Sequence, residues 1–350
     1  MKTRRVGPSL IQTAKDFPNE QACHNFLEAA RWPSGVRCLQ CGSDKISKFI
    51  VKGKTRITTN KKTGETKSKT GPDRYMYQCL EKTCKYQFAA TTGTLFTDTH
   101  LPLRVWMQAI ALMDTAKKGI SALQLQRNLG IAYRTAWYLN HRLREAMADG
   151  ADVLGGIVEI DETYVGGKAK NMHAKQREEK IGGRGVHGKD TVFGMVERGG
   201  NVKTFHVPAL NRYHVIDKLK EGISVDASLV CSDESQLYKR MPKNITRHEI
   251  VNHSEKEYVR GEVHTGTIDG YWGLLKRSLI GSFHRVSIKH LHRYLSECEF
   301  KWNNRENQEI FAAMILGLVI KGALRYKVLT GPEVPTGPAS DDLPLSDEPF

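Results

Sequence analysis

The stretch HTGTIDGYWGLLKRSLIG, residues 264–281, carries apolar residues at helical spacing, yet an acid, Asp269, sits near its start and Lys276 follows two turns later. Positions seven apart fall on one face of a helix. The segment therefore aims a carboxylate and an ammonium in the same direction, close to Trp272 and Leu275. A solvated helix face accounts for a lysine at such a position. An aspartate among apolar residues instead asks for a partner elsewhere in the chain.

Two further acids occupy comparable settings. Asp161 lies in VEIDETYVGG, read as the end of an apolar strand, and Asp233 lies in LVCSDESQLY, also at a strand end, with 35 residues between Asp233 and Asp269. Singly, each is compatible with a cap or a surface residue. Together, two strand acids and a helix acid can converge at one edge of a sheet. Clustered carboxylates do not all stay ionised cheaply without a cation, and hard oxygen donors suit Mg²⁺ or Mn²⁺. Two such ions about 3.5–4 Å apart clamp the attacking and leaving oxygens of a phosphoryl displacement.

The surrounding pattern sets these residues on elements. GIVEIDETYVGG alternates and reads as a strand, TVFGMVERGGNVKTFHVP as a hairpin turning at GGN, NRYHVIDKLKEGI as a helix and SLVCSDES as a short strand. The chain returns to helical spacing after residue 264, and FAAMILGLVI (311–320) reads as a buried helix, too short at ten residues to span a bilayer. Strands followed by a helix, a strand and more helices predict an α/β layer sandwich over residues 151–330.

Upstream, residues 101–150 are helical in three pieces. The middle pair, SALQLQRNLG and IAYRTAWYLNHRLREAMADG, has helix-turn-helix proportions. The second of these is the expected recognition helix, with Arg134, His141, Arg142 and Arg144 as donors for phosphate and base edges. An amphipathic helix with a solvated basic face is the plainer reading.

Within residues 1–100, Cys38 and Cys41 are two residues apart in spacing and Cys79 and Cys84 four. Paired thiolates at such spacings fit a structural, tetrahedral Zn²⁺ held in a ribbon; the competing reading is four free thiols used as small hydrophobes. Cys23, Cys231 and Cys298 are isolated and read as core residues. Between the pairs lies a basic insert, residues 52–74, with eight Lys or Arg and two acids, expected as a mobile loop or a poorly ordered hairpin.

The net charge is +15, from 53 basic and 38 acidic residues, but five of the acids and no Lys or Arg fall in the last twenty residues. The remainder thus has 53 basic against 33 acidic groups, or +20, which points to a polyanionic partner, nucleic acid before anionic membrane. The Pro-rich acidic segment 331–350 reads as disordered. With no signal-peptide pattern and no membrane span, the expected location is cytoplasmic.

On RCLQCGS, YQCLEKTCKYQFAATTGTLF, GIVEIDETYVGGK, VCSDESQLY and the segment from His264 to Arg305, the sequence resembles bacterial insertion-sequence transposases of the DDE type, in the ISXO-type subgroup that carries an N-terminal zinc ribbon. The resemblance spans about residues 15–330. It implies an RNase H-like, retroviral-integrase-like catalytic core, with Asp161 and Asp233 as the first two triad acids and Asp269 as the third, where the subgroup usually has Glu or Asn. It further implies two Mg²⁺ or Mn²⁺ ions, Lys276 as the basic residue that meets DNA near the cleaved phosphate, and double-stranded element ends and target DNA as partners. A homodimer or larger assembly on the nucleoid would join two ends. Two other functions stay open on the residues: a structure-selective nuclease with the same core, and a zinc-ribbon DNA-binding regulator whose core is inactive.

Overall fold

The structure, a computed structural model, describes residues 8–332 apart from 60–62, 149–151, 168–172, 175–177, 179–188, 209, 244 and 246. The expected acidic segment 331–350 lies almost wholly outside the described residues.

Helices α1 (Leu10–Asp16) and α2 (Glu20–Arg31) start at Ser9 and Asn19, whose side chains accept the backbone N–H of Gln12 and Ala22. α2 stops at Trp32, since Pro33 disfavours helical backbone in the residue before it. The strands that follow are β1 (Ile46–Val51), β2 (Thr55–Thr59), β3 (Thr66–Thr70), β4 (Arg74–Cys79) and β5 (Gln87–Phe88). β1, β4 and β5 form an antiparallel sheet, and the basic insert is an antiparallel β2–β3 hairpin.

Helix α3 (Leu103–Thr115) begins at Pro102, which offers no capping side chain. The cap comes instead from α2: the Leu103 and Arg104 amides donate to Glu20 at 2.9 and 3.1 Å. α4 (Ala122–Leu129) ends at Gly130 in the left-handed region (φ 64°), a conformation that favours glycine, and turns directly into α5 (Tyr133–Ala146).

The second half is built on five strands: β6 (Ile157–Val165), β7 (Asp190–Glu197), β8 (Val202–His206), β9 (Leu229–Ser232) and β10 (His248–Ile250), in the order β10-β9-β6-β7-β8. β6, β7 and β8 are antiparallel, while β9 and β10 continue the sheet in parallel. Helix α6 (Arg212–Gly222) covers one face, packing Val215 and Leu219 against Val158, Ile160, Phe193 and Met195. A small hairpin, β11 (Val259–Arg260) and β12 (Val263–His264), leads to α7 (Gly266–Ser278) and α8 (Leu291–Asn303). These two helices cover the other face, where Ile268, Tyr271, Trp272, Leu291 and Leu295 meet Val192, Val196 and Val202. The edge strand β8 is closed by α8. Asn303 bonds both the N–H and the C=O of Val202, and Glu299 accepts the Thr204 N–H.

Helix α9 (Ile310–Ile320) and the short α10 (Tyr326–Thr330) differ from the sequence expectation. Sequence order sets them with the expected catalytic unit of residues 151–330, but Ile310, Met314, Ile315, Leu318 and Leu329 join the core of α2, α3 and α5. Gly317 lies so close to Ala146 that a β-carbon there would stand 2.3 Å from its carbonyl oxygen.

The two halves are also joined by charge. Arg144 of α5 and Glu297 of α8, both buried, pair at 2.7 Å, and Lys301 adds a second contact to Glu297 at 2.8 Å. Burial pushes the Glu297 carboxyl up, but Lys301 and Arg144 outweigh it and hold the group below the usual range. Removing one side of such a pair leaves an uncompensated buried charge. Glu297→Ala should therefore lower the unfolding free energy in urea by about 3–5 kcal/mol, and Glu297→Gln, which keeps an acceptor for Arg144, by less.

Candidate active site and metal centre

Strand alternation sends Val158 and Ile160 of β6 into the core beneath α6 and leaves Glu159 and Asp161 on the α7 face. Asp161 is in the middle of this nine-residue strand rather than at its end. Opposite it across β7 is Gly194. A β-carbon at Gly194 would stand 2.5 Å from the Trp272 ring, so the glycine makes the space that the indole fills. Trp272 in turn donates its Nε1–H to Asp161 Oδ2 at 2.9 Å.

Asp233 follows directly after β9. The parallel ladder sets Glu159 against Cys231, two residues before Asp161 and Asp233 respectively, and the Asp233 carboxylate is near enough to act on that of Asp161. Its Oδ1 accepts the Ser235 N–H and fixes the turn out of the strand. Burial, then the nearby Glu162 and Asp233, push Asp161 up to about 7. Burial and Glu234 push Asp233 up as well. Glu162, also raised by burial, takes a hydrogen bond from the Tyr238 hydroxyl. Among the described residues neither Asp161 nor Asp233 has a Lys or Arg ion pair. Two neighbouring carboxyls that burial and nearby acids both push up are a donor set that a divalent cation would relieve.

The third acid is delivered by α7. The helix starts at Thr265, which makes no side-chain cap. Glu159, fully buried, takes that role from β6: the Thr267 and Ile268 amides donate to its Oε2 at 2.7 and 3.0 Å, and the Thr267 hydroxyl to its Oε1. Arg198, just past β7, donates Nε–H to Glu159 at 2.6 Å and its other nitrogens to the Glu262 and His264 carbonyls. Asp269 lies exposed in the first turn, one turn before Trp272, and Lys276 lies exposed in the last turn. The structure thus sets Asp161 and Asp233 side by side and Asp269 on the helix whose tryptophan touches Asp161. It does not gather the three carboxylates within 4.8 Å of one another. Glu159, Arg198 and Gly194 were not singled out from sequence. The signal for Glu159 is present in VEID, where alternation gives a second acid the same face as Asp161.

The four expected cysteines do converge. Their sulfurs all lie within 4.8 Å of one another, with Cys38 Sγ 3.7 Å from Cys84 Sγ and Cys41 Sγ 3.6 Å from Cys79 Sγ. A tetrahedron with Zn–S bonds of about 2.3 Å has edges of about 3.8 Å, so the set fits zinc. Cys23, Cys231 and Cys298 are buried, as expected for core residues.

The expected DNA-contacting arginines divide. Arg134 is exposed at the start of α5, where its Nε–H meets the Tyr326 hydroxyl at 2.8 Å. Arg142 and Arg144 are a correction. Both are buried: Arg142 donates to the Thr97 carbonyl and lies 4.1 Å over the Tyr138 ring, and Arg144 is held by Glu297. From Asn140 to Arg144 every residue of α5 is buried, because α4, α8 and α9 surround that half of the helix, so these guanidinium groups hold the fold and do not face a duplex. His141 is buried with them.

Residues 153–303 match the family described as the ISXO2-like transposase domain, and residues 18–87 match the transposase zinc-ribbon domain. An uncharacterized protein in transposable element ISH50 of Halobacterium salinarum is 27% identical over 296 residues, covering 80% of this chain and 90% of that protein. An uncharacterized transposase-like protein of Haemophilus influenzae is 28% identical over 123 residues, 35% of this chain and 96% of that protein.

Two outcomes follow from this geometry. Cys79→Ser should lose the bound zinc measured by elemental mass spectrometry, and with it the β1-β4-β5 sheet; full zinc content in the variant would refute the four-cysteine site. For Asp161, the folded-state pKa of about 7 exceeds the ordinary aspartate value of 3.8, so between these pH values the folded metal-free protein binds more protons than the unfolded chain. Its stability should fall as pH rises through that window. Asp161→Asn, whose amide oxygen still accepts the Trp272 N–H, should remove this loss, and the variant should gain on wild type in thermal melts from pH 4 to pH 8.

Proposed function

From the premise that this chain belongs to the ISXO2-like insertion-sequence transposases, we propose that it cuts the 3′ ends of its element and joins them to target DNA by metal-dependent phosphoryl transfer. The observation that carries this reading is the placement of Asp161 on β6 and Asp233 just past β9, its parallel neighbour, with α7 locked against β6 through Glu159 and Trp272. Three antiparallel strands continued by two parallel ones, with helices over both faces, support an RNase H-like core.

Asp161, Asp233 and Asp269 are the residues that would hold two Mg²⁺ or Mn²⁺ ions. Such ions, when bound, supply charge neutralisation at the scissile phosphate and a deprotonated water or 3′-hydroxyl. The chain's own contribution is positioning. Trp272 fixes the rotamer of Asp161 and keeps water from its inner oxygen. Asp269 comes from a helix end that Glu159 holds fixed. Lys276, on the same face of α7, meets the phosphate of the bound strand as a point charge. Arg134 and the β2–β3 hairpin add phosphate contacts that fall away with salt. Joining two ends at once calls for a homodimer or larger assembly on double-stranded DNA, acting in the cytoplasm at the nucleoid.

One observation favours a second reading, a DNA-binding regulator with a silent core: the three carboxylates do not close into one set. A strand-transfer assay with DNA from the flanks of the gene and Mn²⁺ separates the two. Wild type should join ends, Asp269→Asn should lose at least about a hundredfold in rate, and Asp269→Glu should retain activity. An inert wild type beside an active Asp269→Glu would put the regulator first, and cleavage without joining would put a structure-selective nuclease first.

A further inference from the structure

A cleft of about 1170 Å³ opens between the first turns of α4 and α5 on one side and residues 281–290 on the other. Among the described residues no Asp or Glu lines it. Its charged residues are cationic: Arg127 of α4, Arg285 and Lys289 from the opposite wall, where Lys289 also donates to the Gly331 carbonyl, and Arg144, which Glu297 already pairs. Arg127 and Arg285 are exposed, and among the described residues neither guanidinium has an ion pair or hydrogen bond. Its aromatic surface is equally marked. Tyr133 is 53% exposed, Trp137 is half-buried behind it, and Phe283 forms the far side.

The far wall is held in an unusual backbone. α7 passes into a π-helical turn, Leu279–Phe283, and His284 then takes φ 58°, ψ −52°. The Arg285 N–H bonds back to the Phe283 carbonyl at 2.6 Å, closing a three-residue turn of the strained hand. Phe283 is seated over Gly119, where a β-carbon would come within 2.3 Å of its ring. Together the turn and the seat present His284 and Arg285 outward into the cleft.

We propose that this cleft binds a single strand of DNA, with phosphates on Arg127, Arg285 and Lys289 and an unstacked base on Tyr133. The inference rests on reading the chain as a strand-transfer enzyme and adds a site to it. A positively charged groove with interleaved aromatic rings is the combination that holds unpaired nucleotides, because every base has a π-face and the phosphates repeat along the strand. A duplex hides its base faces and is read by convex elements that enter its grooves; a concave aromatic cleft offers it little. The position suits a strand leaving the catalytic face. Asp269 and Ser278 are nine residues apart on α7, about 13.5 Å along the axis, and the π-helical turn carries on from there to the cleft wall, so a strand cut at the carboxylates runs past Lys276 into the cleft.

The test is fluorescence anisotropy of a labelled oligothymidylate and of a duplex, with zinc-loaded full-length protein and no added divalent metal. Wild type should bind the single strand. The double variant Arg127→Ala/Arg285→Ala should weaken that binding about tenfold, and Tyr133→Leu, which keeps apolar bulk but no ring, by roughly fivefold, the loss expected from one base–aromatic stack. Lys220→Ala, on α6 across the sheet, is the control for loss of an exposed cation elsewhere and should bind as wild type does. Single-strand affinity unchanged in the cleft variants, or lowered as much by Lys220→Ala, overturns the proposal. Strand transfer by wild type with unaltered binding in the variants would remove the cleft and leave the transposase reading. Cleft-dependent binding by a wild type that joins no ends would do the reverse.

Discussion

The arrangement of the candidate active site depends on one buried carboxylate. Glu159 sits where α7 exposes its first amides and where Thr265 provides no cap. An acid at a helix N-terminus is favoured both by the free N–H groups and by the helix dipole. Hydrogen bonds to charged groups contribute about 1.5–3 kcal/mol each, against the cost of burying the charge, which Arg198 offsets. The gain is registry. Glu159 and Asp161 are two residues apart on one strand, so the group that anchors the helix and the first acid of the site move as one body. Trp272 closes the same triangle through the Asp161 hydrogen bond, in a space that exists only because residue 194 has no side chain.

The same solution recurs where other parts of the chain meet. Glu20 caps α3 from α2, and Glu297 joins α5 to α8 through Arg144 and Lys301. In each case an acid from one segment satisfies donors of another. Apolar packing brings α9 back onto the first core, so the last helices of the chain help to hold its first ones. Buried pairs of this kind add little to stability over apolar substitutes, but they penalise any other docking by leaving a charge unpaired.

Features governed by local spacing were legible in the sequence. The cysteine pairs, the β7–β8 hairpin, α6 and the helices around residue 130 each follow from a few neighbouring residues. Asp233 at a strand end and Asp269 in a first turn were legible for the same reason. What escaped was decided by tertiary neighbours. Arg142 and Arg144 look like a solvated basic face because helical periodicity says nothing of what surrounds a helix; here three other helices do. The apolar α9 announced that it was buried, but not in which core. Asp161 was misplaced along its strand because β6 runs on through Thr163 to Val165, residues whose pairing with β7 keeps them extended. The cleft beside Tyr133 combines residues about 150 positions apart, and no window of sequence contains both walls.

The way α8 seals the outer strand has a consequence for how copies of the protein can meet. A bare sheet edge is a template on which a second chain can extend the ladder. On β8, Asn303 occupies both backbone groups of Val202 and Glu299 takes the Thr204 amide, so both outward amides are already spent. At the opposite side β10 is only three residues long. Multimers of this chain are thereby steered away from β-augmentation and toward contacts made by side chains, which can be remodelled by mutation without disturbing the sheet that carries the acids.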